Sequence, residues 1–198
     1  MNNLKSIAKK IRSLVESKKG PILVVIDGRS GAGKSTFTKK LREKAGGVIV
    51  VGDDFYSGGS DEEWNKLTPK EKVDKCIDWK RLRVEVLEPL LSGKPTSWHP
   101  FNFKMGKGLS DEVLTAKPSN TILLDGAYSS RPELSDLIDL SILVKTEDDS
   151  RRAILIKREG VAFMNNWHSV WDVAEDYYFS QIRPEKSFDF IIQNKFTE

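Results

Sequence analysis

Pro21-Ile22-Leu23-Val24-Val25-Ile26-Asp27, followed by Gly28-Arg29-Ser30-Gly31-Ala32-Gly33-Lys34-Ser35, is the stretch that decides the fold. Its second half reads G-x-x-x-x-G-K-[ST], the phosphate-binding P-loop pattern. Its first half is a short β-branched apolar run, the pattern of a strand buried on both faces. The residues that follow, Thr36-Phe37-Thr38-Lys39-Lys40-Leu41-Arg42-Glu43-Lys44, read as a helix stopped by Gly46-Gly47. A strand, a glycine-rich turn and a helix start aim several backbone N–H groups at one anion, with the helix dipole behind them. In that setting Lys34 reaches the β- and γ-phosphates of a nucleoside triphosphate, and the Ser35 hydroxyl faces Mg²⁺. Gly28 to Thr36 are therefore the expected nucleotide cradle. An ordinary glycine turn is the competing reading, and the strand–turn–helix setting counts against it.

Outward from this stretch, further strand-like apolar runs appear at Val48–Val51, Thr121–Leu124, Leu140–Val144 and Phe190–Ile192. Helical patterns separate most of them. The alternation predicts an α/β fold of three layers, a parallel sheet with helices on both faces, of the P-loop nucleotide-hydrolase type. Right-handed crossovers would bring the C-terminal ends of all strands to one edge, where ligands bind. The functional candidates all lie just past those ends. No fixed-period repeat is present.

With 198 residues the chain fits one domain, expected over 1–198, with an amphipathic helix within 1–20. In that helix Leu4, Ile7, Ala8, Ile11, Leu14 and Val15 recur at helical spacing among lysines and serines. Packing on the sheet is favoured over a membrane-surface role. No run approaches the ~20 apolar residues of a membrane span. A net charge of +3 is too small to argue for nucleic acid, because phosphate-handling enzymes also carry surplus Lys and Arg. Cys76 is the only cysteine, which excludes an intrachain disulfide and a cysteine metal site and fits a reducing cytoplasm.

Gly52-Asp53-Asp54-Phe55-Tyr56 follows the second strand, where the γ-phosphate should point. A small-molecule kinase needs a carboxylate there to orient, and to deprotonate, the acceptor hydroxyl. A turn or helix cap before Gly58-Gly59 is the alternative use of the two aspartates. With the P-loop, this motif resembles the uridine kinase and phosphoribulokinase superfamily, which includes nicotinamide riboside kinases and bacterial pantothenate kinases. The resemblance implies that Asp53 is the catalytic aspartate and that Asp54 stands at a variable Ser/Asp position. It also covers Ile77-Asp78-Trp79, similar to a Phe-Asp helix ending near Gly93, and Phe101-Asn102-Phe103, in the place of a Tyr-Asp-Phe segment lining the acceptor pocket. Asp53, Asp54, Tyr56, Phe101 and Phe103 are thus the expected acceptor residues.

Ile122-Leu123-Leu124-Asp125-Gly126 is an apolar strand ending in a carboxylate, placed to hold Mg²⁺ opposite Ser35, usually through water. The resemblance puts Glu-Gly at this place, so Asp125 is a shorter substitute. It also implies a lid, expected with its following helix over about 145–185. There Arg158, beside Glu159, is the first candidate for the γ-phosphate and Arg151 the second, since an arginine's planar fork suits phosphate oxygens. A solvated helix face is the alternative for either. Trp167, Trp171, Tyr177, Tyr178 and Phe179 read as core packing ahead of base stacking.

Two departures matter for the acceptor. The Asp-His-Pro segment with which uridine kinases grip the ribose diol has no counterpart in Pro69–Lys75. Phe101 cannot make the hydrogen bond of the tyrosine it replaces. The expectation is therefore a kinase using ATP and Mg²⁺ on a hydroxyl of a nucleoside-like or other small metabolite, with no nucleic-acid or membrane partner. A vitamin, an antibiotic or a sugar phosphate remains an open acceptor, and a homo-oligomer is open too. A nucleotide switch would need an Asn-Lys-x-Asp motif, and the Asn-Lys pairs, Asn65-Lys66 and Asn194-Lys195, both lack the aspartate.

Overall fold

The computed structural model describes residues 2–161, 164 and 167–194. Five strands form one parallel sheet: β1 (Ile22–Asp27), β2 (Val48–Val51), β5 (Thr121–Asp125), β6 (Ile138–Lys145) and β7 (Phe190–Gln193), in the order β2-β5-β1-β6-β7. Side chains alternate across the sheet, so each strand feeds two cores. Ile22, Val24 and Ile26 of β1 point to one face, where they meet Ile7, Ala8 and Ile11 of α1 (Asn2–Lys18) and Leu41 of α2 (Lys34–Ala45). Leu23 and Val25 point to the other, against Val73, Leu82, Val86, Leu90, Val170 and Tyr178.

That second layer is built from three helices. They are α4 (Pro69–Lys75), α5 over 79–91 with π-type turns at Arg83–Leu87, and α7 over 168–182, π-type at both ends. The expected three-layer α/β architecture is present, and α1 uses its apolar stripe on the sheet. Two capping boxes start α3 (Asp61–Asn65) and α4: Ser60 with Glu63, and Thr68 with Glu71. Asp78 caps α5 by accepting the Arg81 N–H at 2.9 Å. A small antiparallel hairpin, β3 (Thr96–Trp98) and β4 (Leu114–Ala116), stands apart from the sheet. α6 (Asp148–Glu159) follows β6. The lid expected over about 145–185 lies partly outside the described residues, at 162, 163, 165 and 166. Among the described residues no helix is long and apolar enough to cross a membrane.

Candidate active site

Because β1 lies between β5 and β6, the loop that leaves it is pressed against both neighbours. Gly28 passes β6 so closely that a Cβ would lie 2.2 Å from the Val144 carbonyl oxygen, and its φ is +147°. Only glycine can make that passage. Gly33, at φ 87°, precedes α2 and offers no side-chain cap, so the first N–H groups of α2 remain directed at the loop. The Lys34 ammonium donates to the carbonyls of Gly28 at 2.8 Å and Arg29 at 3.1 Å.

Beneath the loop lies Asp27, the last residue of β1. Its fully buried carboxylate accepts N–H groups from Gly28 (2.7 Å), Tyr128 (3.0 Å) and Ser130 (2.9 Å), and the Tyr178 hydroxyl at 2.8 Å. Burial raises its pKa, and Ser130, Tyr178, Gly28 and the charge of Lys34 pull it back. Asp27 thereby joins three segments: the P-loop, the exit of β5 and α7. Tyr128 holds a left-handed φ of 63°, uncommon for a bulky residue, at the point where Asp27 grips its N–H.

A cavity of about 590 Å³ opens over this floor. Ser30, Gly31, Gly33, Lys34, Ser35 and Thr36 form one side, and Asp125 and Gly126 the base. Asp53, Tyr56, Asp61 and Phe103 face them, with Arg158, Glu159, Trp167, Trp171 and Glu175 closing the remainder. Two strand ends therefore deliver Asp53 and the P-loop to one space. Glu175, 1% exposed, accepts the Ser30 N–H at 2.8 Å and lies 3.5 Å from the Arg151 guanidinium. Burial raises its pKa, while the Ser30 hydrogen bonds and Arg151 oppose the rise.

Asp125 fits a metal role. It is 4% exposed, and its Oδ1 has no hydrogen-bond partner among the described residues. Burial raises its pKa, against the charge of Lys34 and a hydrogen bond from Ser35. An orphaned carboxylate oxygen beside a hydroxyl at the phosphate cradle suits a hard dication such as Mg²⁺. No group of three or more His, Cys, Asp or Glu gathers among the described residues, so such a cation would draw its other ligands from phosphate and water.

Not every candidate comes to this cavity. Asp54 turns away: its carboxylate accepts Trp98 Nε1 at 3.0 Å, and burial raises its pKa. Phe101 is 6% exposed and packs edge-on against Tyr56 and Phe103, behind the wall that Phe103 forms. Arg151, expected near phosphate, is 2% exposed and held by Asp148, Asp172, Glu175 and the Ser30 carbonyl, which makes it a brace under the loop. Arg29 and Ala32 lie on the opposite flank of the P-loop. There a second cavity of about 530 Å³ is lined by both, with Thr146, Arg151, Phe179 and Gln193. Arg29 pairs with Asp176 at 2.5 Å.

No family model matches the chain. A uridine kinase of Chlamydia pneumoniae is 28% identical over 171 residues, 82% of this chain and 73% of that protein. The inorganic pyrophosphatase TTM1 of Arabidopsis thaliana is 26% identical over 193 residues, 92% of this chain but 28% of that longer protein. Among solved structures, a possible uridine kinase of Bacillus stearothermophilus superposes with a TM-score of 0.65 at 17% identity, covering 94% of this chain and 99% of the other. A structure from Silicibacter sp. TM1040 gives 0.74 at 17% identity over 95% of this chain and 98% of its own. In sequence and in fold, the chain is uridine kinase-like.

Within this uridine kinase-like frame, sequence reading missed three residues: Asp27, Glu175 and Asp61. Asp27 reads as a strand-ending acid before a glycine, although its place immediately ahead of Gly28 was a usable signal. Glu175 sits in Ala174-Glu175-Asp176, an unremarked acidic run, and its burial follows from how α7 packs. Asp61 is a helix-start acid whose side faces the cavity only because α3 follows the Gly58-Gly59 turn.

Proposed function

We propose that the chain transfers the γ-phosphoryl group of ATP to a hydroxyl of a small metabolite. The observation that carries this reading is the shared cavity: the P-loop, the Asp125 carboxylate and Asp53 line one space, with Arg158 across from them. The triphosphate rests on the N–H groups from Gly28 to Thr36, and Lys34 exchanges its carbonyl partners for the β/γ oxygens. Ser35 and Asp125 would hold Mg²⁺, which would neutralise phosphate charge when bound. The base and ribose take the second cavity beside β7. Asp53, exposed at the cavity wall, orients the acceptor hydroxyl and receives its proton, and Tyr56 and Phe103 bound the acceptor. Arg158 covers the γ-phosphoryl group, where a planar guanidinium matches charge spread over three oxygens. Such a site works by position and electrostatics, with no covalent intermediate on the protein.

The test is Asp53→Asn with Mg²⁺·ATP and a pooled library of nucleosides, vitamins, sugars and aminoglycosides, read as ADP release and as products one phosphoryl group heavier. Turnover should fall by at least about 100-fold, the scale of a lost general base, while ATP binding stays near normal. Undiminished turnover in the variant would remove Asp53 from the chemistry.

A further inference from the structure

Where β1 gives way to the P-loop, β5 loses a neighbour that its main chain still needs. Asp125, the last residue of β5, pairs with Ile26 of β1, and the next N–H, that of Gly126, donates to the Ile26 carbonyl at 3.3 Å. Beyond Asp27 the main chain of β1 turns off into the loop. The Asp27 side chain then takes the strand's place. Its Oδ1 accepts the Tyr128 N–H at 3.0 Å and its Oδ2 the Ser130 N–H at 2.9 Å. The donors at 126, 128 and 130 are thus satisfied in turn from the end of β1, first by main chain and then by carboxylate.

The same carboxylate holds the other half of the site. Oδ1, the oxygen that takes Tyr128, also accepts the Gly28 N–H at 2.7 Å. The loop that leads to Ser35 and the turn that starts at Asp125 are therefore pinned to one oxygen atom. That turn is closely specified. Tyr128 keeps a left-handed φ of 63°, which a bulky residue holds only where its surroundings impose it. On the other side of the turn a Cβ on Gly126 would stand 3.3 Å from the Gly52 Cα, and Gly52 directly precedes Asp53. Asp125 Oδ1 has no hydrogen-bond partner among the described residues, so the placement of that carboxylate depends on the main chain that carries it.

We propose that Asp27 is a positioning residue for the metal: it sets the separation of Ser35 and Asp125 by fastening the P-loop and the β5 exit to one carboxylate. The inference rests on the Mg²⁺·ATP assignment within the kinase reading above. Asp27 is fully buried beneath the loop and supplies no ligand. It acts through the main chain on both sides and governs how firmly a cation is held.

ATP is titrated into the full chain by calorimetry, once with Mg²⁺ and once with a chelator, and the ratio of the two affinities measures the metal's hold. Asp27→Asn exchanges one carboxylate oxygen for an amide that cannot accept an N–H. The ratio should fall about tenfold, the lower end for loss of an outer-shell partner, while affinity in chelator changes by less than about threefold. Asp27→Glu keeps the charge but displaces the carboxylate, and it should lower the ratio as well. Where one variant does not fold, the other carries the test. In an Asp125→Asn background, Asp27→Asn should lower the ratio no further, because its path to the metal is already cut. A ratio unchanged in Asp27→Asn, a ratio preserved in Asp27→Glu (an effect of charge and not of position), or full additivity with Asp125→Asn each overturns the proposal. None of these measurements needs an acceptor. The kinase reading stands or falls on phosphorylated product from the unaltered chain, so the two failures are distinguishable.

Discussion

Glu175 lies in a helix run that looks solvated, yet it is 1% exposed and holds the Ser30 N–H of the P-loop. Burial raises its pKa above the ordinary value of 4.5, so the fold favours its protonated form. The sign follows: the stability this group contributes is fully present below its unfolded pKa and is lost as pH rises through the raised folded value. Glu175→Gln keeps an acceptor for Ser30 and removes the titration, while Asp148 and Asp172 still hold Arg151. As pH rises above the ordinary glutamate range, the variant's urea midpoint should therefore fall less than that of the unaltered chain. Parallel pH profiles would show that another carboxylate sets the slope. Asp27 is the contrasting case: equally buried, it accepts four hydrogen bonds, so removing it would strand four donors in place of one.

The elements that the sequence made legible are those with long apolar runs. All five sheet strands lie where expected, with ends differing by no more than two residues, because a strand buried on both faces must be apolar throughout. The hairpin of β3 and β4 was not legible: three-residue strands such as Thr96–Trp98 leave too short a pattern to read. At the site, Lys34, Ser35, Asp53 and Asp125, named from motif and position, all line one cavity. Arg151 was placed over phosphate because sequence shows its charge but not the three acids that surround it. The junction of β1 and the P-loop supplies a sharp test. Gly28→Ala puts a Cβ 2.2 Å from the Val144 oxygen in a left-handed backbone, and the three nearest atoms are all backbone of Val144 in the central sheet. We expect loss of soluble protein, or folded protein whose nucleotide affinity is reduced by more than tenfold, read by isothermal titration with Mg²⁺·ATP. Gly20→Ala is the control, since its φ is not left-handed and the atom nearest to a Cβ there, the Lys18 carbonyl oxygen, is 4.0 Å away. Normal affinity in Gly28→Ala would show that β6 can retreat.

Across the whole molecule, the two cavities flank the P-loop, one between it and the acceptor wall, the other beside β6 and β7. A nucleotide spanning both would tie together β1, β6, β7 and α7, elements drawn from the two halves of the chain. Ligand that binds only the folded state at 100 times its Kd adds about 2.7 kcal/mol. For a chain of this size that is a rise in Tm of roughly 5–10 °C. Thermal melts with ATP should show that rise with Mg²⁺ and a smaller one with a chelator present, and Asp125→Ala should bring the two closer. A rise that ignores Mg²⁺ in the unaltered chain would argue against the Ser35–Asp125 assignment.

The bond from the Tyr178 hydroxyl to Asp27 has a consequence for biosynthesis. The two residues are separated by 151 positions, and the other distant donors to Asp27 come from Tyr128 and Ser130. A ribosome therefore releases the complete P-loop long before anything exists to fasten its base. Loop closure over such spans is slow relative to local helix formation. During that interval the anion-binding loop is present but lacks the brace from Tyr178, and its competence arrives only once α7 has been synthesised. Nascent chains arrested before Tyr178 should accordingly carry the entire motif and retain no nucleotide.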